Sequence, residues 1–139
     1  MILPPAELLA RLSTTLRSEI GPAVDGEYPR TQAFMAAVVT EKLARQIAVG
    51  PDHERADATD RAQLFDDLDA LLPAGPTPPD VRAIVDEGLA GGDTAVVCRV
   101  IEALYANEQI LGRPAFDAAL GRVRATLRAC ISRQMEYAE

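Results

Sequence analysis

The residues able to do chemistry in this chain are few. His53 is the only histidine among 139 residues, and histidine serves much of metal binding and of acid–base catalysis near neutral pH. His53 and Asp57 are four apart, and Glu54 lies three before Asp57. On a helix that spacing could hold a metal weakly. The same residues also make an acidic helix start of the kind the helix dipole favours by itself, and a solvated first turn is the expectation adopted. Two carboxylates can divide acid and base roles only in unlike environments. Asp66, Asp67 and Asp69, and the neighbours Asp86 and Glu87, fall on polar helix faces instead. Glu41 either edges into a groove or pairs with Arg45, four residues on in the favourable acid-before-base order, and the pair is expected.

Nucleophiles lack partners. Cys98 and Cys130 form no CxxC motif and have no metal-ligand spacing. They fall on or near apolar stripes and are expected as buried thiols acting as small hydrophobes. If their helices form a hairpin about Gly112-Arg113, the two lie ~22 and ~26 Å from the corner, so contact between them is open. No Gly-x-Ser-x-Gly pattern occurs. Gly88-Leu-Ala-Gly91-Gly92-Asp93-Thr94 is glycine-rich but lacks the Gly-Lys-Ser/Thr ending of a phosphate loop, and reads as one helix C-cap followed by an N-cap at Asp93. The last helix is locally basic, with Arg113, Arg122, Arg124, Arg128 and Arg133. Arg124 and Arg128 share a face. They are the candidate docking residues for an acidic or phosphorylated partner, set against the alternative that this face is solvated and balances acidic helices elsewhere.

The elements that must carry these residues are helices. Apolar residues recur every three to four positions and never settle into strict alternation, the period of a helix and not of a strand. A first helix is expected from about Pro5 to Ile20, ended by Gly21-Pro22. A second is expected from about Thr31 to Val49, with Met35, Val39, Leu43 and Ile47 at successive i+4 positions, ended by Gly50-Pro51. A third is expected over about 57–72. After the proline-rich 73–79, a short fourth helix is expected over about 78–89, capped by Thr77. A fifth follows Asp93, and a sixth runs from the Gly112-Arg113-Pro114 corner to about Tyr137. The expected fold is all-α: one domain over 1–139, an antiparallel bundle of five to six helices.

Composition narrows the function classes. The hydrophobic share is 48% and the charged share 25%, as in a globular protein. Aromatics make up 4%, so the core must rest on aliphatic residues. A net charge of −7 disfavours non-specific binding to nucleic acid or an anionic membrane. The longest apolar run, 33–39, is too short to span a bilayer. The opening Met-Ile-Leu-Pro-Pro-Ala-Glu has no basic segment, so no signal peptide is expected and the chain is read as cytoplasmic.

Pro5-Ala-Glu-Leu-Leu-Ala, the 19–26 segment Glu-Ile-Gly-Pro-Ala-Val-Asp-Gly, Ala36-Ala37 through Ala44-Arg45-Gln46 to Gly50-Pro51, and Ile84-Val-Asp-Glu-Gly88 form a recognisable layout. It resembles that of a family of short, uncharacterised, all-helical bacterial proteins encoded beside aminoglycoside-phosphotransferase-like and acyl-CoA dehydrogenase-like proteins. The resemblance covers roughly the first hundred residues. It implies an accessory role beside a phosphotransferase-like protein and brings no catalytic residue, cofactor or metal. The expected function is therefore a non-catalytic helical accessory or interaction protein, with a phosphotransferase-like partner and a homodimer as its expected associations. The alternative is a small-molecule-binding protein or small enzyme whose pocket gathers Glu41, Tyr105 and an arginine.

Overall fold

The computed structural model describes residues 2–137, and every regular element among them is helical. The chain is all-α, as its periodicity requires. Its elements are α1 (Pro5–Thr15), a π-helical turn (Leu16–Ile20), α2 (Gly21–Ala23), α3 (Glu27–Leu71), α4 (Pro79–Leu89), α5 (Thr94–Ala106), α6 (Glu108–Leu111) and α7 (Arg113–Met135).

Two expected stops are not stops. At Gly21-Pro22 the helical path continues: Gly21 is right-handed, with φ −55° and ψ −50°, and the chain leaves the helix only at Val24, which is extended. Pro22 sits in the first turn of α2, where its missing N–H is not needed. The space at Gly21 is tight, since a Cβ there would lie 3.0 Å from the Leu16 carbonyl oxygen and 3.1 Å from Cζ of Phe34. At Gly50-Pro51 the helices expected on either side are one, α3, with Pro51 in its interior. The φ of proline is already helical, so Pro51 removes one backbone hydrogen bond without forcing a turn. Gly50 is not left-handed. The acids at 52–60 are therefore mid-helix residues and not a first turn.

Smaller differences follow local geometry. Thr77 does not cap α4. The N-cap is Pro78, with no side-chain cap bond, and Thr77 is buried. The fifth helix breaks at Asn107, whose carbonyl accepts from Ile110 and Leu111 and so starts α6. Asp93 caps α5 as expected, accepting from Val96 N–H at 3.1 Å.

The chain divides into two compact units, 1–54 with 134–139, and 55–133. The first contains the α1–α2 arm and the leading part of α3. Its helices meet through small residues: Ser13 Oγ donates to the Ala37 carbonyl at 2.8 Å, and Ala37, Ala44 and Gly21 are buried. The second unit has a full core. Leu64, Phe65, Leu68 and Leu72 pack with Val81 and Val85, with Val97, Val100 and Leu104, and with Phe116, Leu120 and Val123. Arg82 closes its proline-rich connection, donating to the Leu72 carbonyl at 2.9 Å and pairing with Asp69 and Asp86.

Candidate functional site

The basic residues of α7 separate into two groups. Arg113 pairs with Asp117 on its own helix. Arg122 Nε reaches Asp67 Oδ2 at 2.6 Å, and Arg133 engages both Asp57 and Asp60 on α3. Arg124 and Arg128, one turn apart and both exposed, have no ion pair with an acid among the described residues. Arg124 meets the Tyr105 hydroxyl, to which its Nη2 donates at 3.3 Å. Tyr105 in turn meets Phe116 edge-on, with ring centroids 5.3 Å apart. Three of the five arginines thus have acid partners, and the two that share an exposed face keep their guanidinium groups available to a planar anion.

Glu41 both lines a groove and is paired. The groove, about 300 Å³, runs between Ala10, Ser13, Thr14, Arg17, Ser18 and Glu41 in the first unit. The expected i+4 pair with Arg45 forms at 3.8 Å, and Arg17, 24 positions away in sequence, meets the other carboxylate oxygen more closely at 2.8 Å. The α1–α3 contact at Ser13 and Ala37 brings Arg17 within reach. Tyr105 and Arg124 belong to the second unit, so each set has its own partners.

His53 is not a solvated helix start. Its side chain is 16% exposed. One ring nitrogen, Nδ1, lies 2.7 Å from the Tyr137 hydroxyl and the other, Nε2, 3.0 Å from Glu136 Oε2. The tail at 134–137 thus fastens onto α3 within the first unit. Nothing in the sequence marked this contact, because the partners are more than eighty residues apart and the tail has no periodic pattern. No group of three or more His, Cys, Asp or Glu among the described residues is placed to hold a metal ion.

The second unit holds a cavity of about 30 Å³, walled among others by Asp57, Asp60, Arg61, Thr126, Cys130 and Arg133. That is room for water and not for an organic ligand. Cys130 lies beside it, its sulfur 3.4 Å from Asp57 Oδ2. Burial, and then the hydrogen bond to Asp57, push its thiol above the ordinary range. Cys98 corrects the expectation of two buried thiols. It is exposed on α5, one position along from the buried Val97, and neither cysteine is in a disulfide among the described residues. Under native conditions Cys98 should react with an aromatic disulfide reagent at least tenfold faster than Cys130, since only a thiolate with access attacks. Equal rates for the wild type and a Cys98→Ser variant would contradict this.

Charge within the second unit is arranged locally. Hydrogen bonds from Gln63 and Arg122 hold Asp67 below the usual carboxylate range. Asp80 is held low by the amide of Asn107, which donates to it at 2.8 Å. None of these acids is left to exchange protons near neutrality. No helix among the described residues is long and apolar enough to cross a membrane. Comparison with protein-family models, with curated proteins and with solved structures returned no match.

Proposed function

We propose that this chain is a non-catalytic helical interaction protein, acting in the cytoplasm as an accessory to a phosphotransferase-like kinase. The observation that carries the reading is the state of the first unit. Its helices bury small residues between them and leave Met35, Val39, Leu43 and Ile47 between 43% and 56% exposed, although the i+4 spacing marks them as an inward stripe. Contiguous apolar surface of this kind on a folded protein marks an interaction site. The acid-free arginines Arg124 and Arg128 supply a second, polar contact suited to an anionic partner surface.

A pocket for a small molecule has less support. The cavity beside Cys130 is about 30 Å³, an order of magnitude below the roughly 300 Å³ at which ligand sites begin, and a second groove in the same unit, along Arg61, Asp66 and Gly88, only reaches that threshold at about 300 Å³. The groove of the first unit is open, and its Arg17 and Glu41 satisfy each other. Immobilised full-length chain is expected to retain a purified phosphotransferase-like kinase, and Arg124→Ala/Arg128→Ala to weaken retention on the order of tenfold. A kinase that flows through unretained, with a thermal shift of the free chain in a metabolite panel, would reverse the reading in favour of the pocket.

A further inference from the structure

The exposed stripe of α3 does not stand alone. Leu8 and Leu12 on α1 are 50% and 46% exposed. Helical geometry fixes where they lie, at 100° per residue. Measured round each helix from the buried contact of Ser13 with Ala37, Arg17 and Glu41 lie one way, and their ion pair shows that these two sides coincide. Leu8 and Leu12 lie the other way round α1, and Val39, Leu43 and Ile47 the same other way round α3, with Met35 at the outer edge. Six large apolar side chains therefore share one side of a two-helix arm, opposite its polar groove.

Such an arm lacks the means to hold itself together. Its buried apolar side chains are Ala37 and Ala44, and isolated helix pairs gain most of their stability from packing an amphipathic face. At about half exposure, and with aliphatic side chains smaller than the roughly 150–250 Å² of an aromatic one, the six present on the order of 500 Å². Half-buried Leu9 and Leu16 alongside carry this toward the roughly 800 Å² that each partner contributes to a standard interface. Charge selects the occupant. Between Pro5 and Ile20 the chain carries Glu7, Arg11, Arg17 and Glu19, and between Thr31 and Gly50 it carries Glu41, Lys42 and Arg45. Two plus one acids against two plus two bases leave this face near neutral, although the chain as a whole carries −7. The acids that would repel an identical molecule lie elsewhere.

We propose that two copies of this chain associate arm to arm through Leu8, Leu12, Met35, Val39, Leu43 and Ile47, closing a four-helix bundle across a two-fold axis. The proposal rests on the interaction reading above and names the occupant of its apolar face. Self-association of this kind supplies the missing core from the same sequence, with the small-residue seams on the outside of each pair and the large aliphatic residues at the centre.

The test is the solution mass of the full chain by sedimentation at micromolar concentration. Wild type is expected at twice the 14.9 kDa of one chain, and Leu43→Asp to raise the dissociation constant roughly 100-fold. A monomeric wild type, or a Leu43→Asp chain that stays dimeric, overturns the proposal. Should Leu43→Asp lose helicity, hydrogen exchange of the wild type decides. Amides over 31–50 must gain protection as concentration rises, and protection independent of concentration refutes pairing. Kinase retention separates the two readings. A monomer that retains the kinase, and loses it in Leu43→Asp, ends the dimer but not the interaction protein. A monomer that retains nothing ends both.

Discussion

Replacing Gly88 by alanine is expected to lower the stability of the second unit by about 3–5 kcal/mol in denaturant unfolding. A Cβ at this position would lie 2.1 Å from Cδ1 and from Cε1 of Phe65, so the ring must leave. Phe65 is 1% exposed, in one core cluster with Leu68, Val85 and Val96, so moving the ring disturbs that packing. Ordinary overpacking costs about 1–3 kcal/mol because side chains give a little. Here the obstacle is a flat ring against backbone, and displacing it forfeits much of what a buried phenylalanine contributes. Phe65→Ala alone should cost a similar amount. In the double variant the new methyl occupies space the ring vacates, so its cost should fall short of the sum by at least about 1 kcal/mol. A Gly88→Ala chain within about 1 kcal/mol of wild type would show that α3 and α4 are not held together at this crossing.

Arg133→Ala should destabilise the same unit by about 2 kcal/mol, and Arg133→Lys by about half of that. The guanidinium is 19% exposed and addresses two carboxylates of α3 at once: Nε reaches Asp57 Oδ1 at 2.7 Å and Nη2 reaches both Asp57 and Asp60. Truncation strands Asp57, itself 19% exposed, beside a second acid and the Cys130 sulfur. The partial exposure of Asp60 keeps the cost below that of a fully buried pair. Lysine restores charge but not the fork, so it can satisfy one carboxylate well and not two. The comparison is the test: thermal unfolding in which Lys and Ala are equally damaging would mean that packing of the arginine stem, and not the fork, is what counts.

Legibility followed the range of the interactions. The helices were readable from period alone, as was the Asp93 cap, whose donor lies three residues away. Gly88 was correctly placed beside a helix end, yet its reason is Phe65, twenty-three positions earlier, and no local pattern records that. The same limit explains His53, whose partners come from the tail, and Glu41, whose nearer base is Arg17. Gly50-Pro51 misled for a different cause. Glycine and proline raise the cost of continuing a helix without forbidding it, and tertiary contacts on both sides of the pair outweigh that cost. Of the candidate docking residues, the chain indicated Arg124 and Arg128 by their shared face. Arg113 has its acid four residues on, but that Arg122 and Arg133 are neutralised could be known only once α3 lay beside α7. The exposure of the Met35–Ile47 stripe was hidden for a simpler reason: periodicity says which residues share a face, and is silent on whether anything covers it.

Pro51 gives the long helix an energetic grain that its geometry conceals. Its missing N–H leaves the carbonyl of Ile47 without its helical donor, and Gly50 offers no side chain to pack, with nothing within 4 Å of where one would begin. The division between the two compact units falls after Glu54, within a turn of this pair. Helical order propagates by each residue adding one bond to the last, and here one rung is absent where the neighbours on either side change. Forty-five residues that are one helix in shape therefore carry their weakest rung beside the boundary between the two compact units, which is where a local opening of this helix would begin.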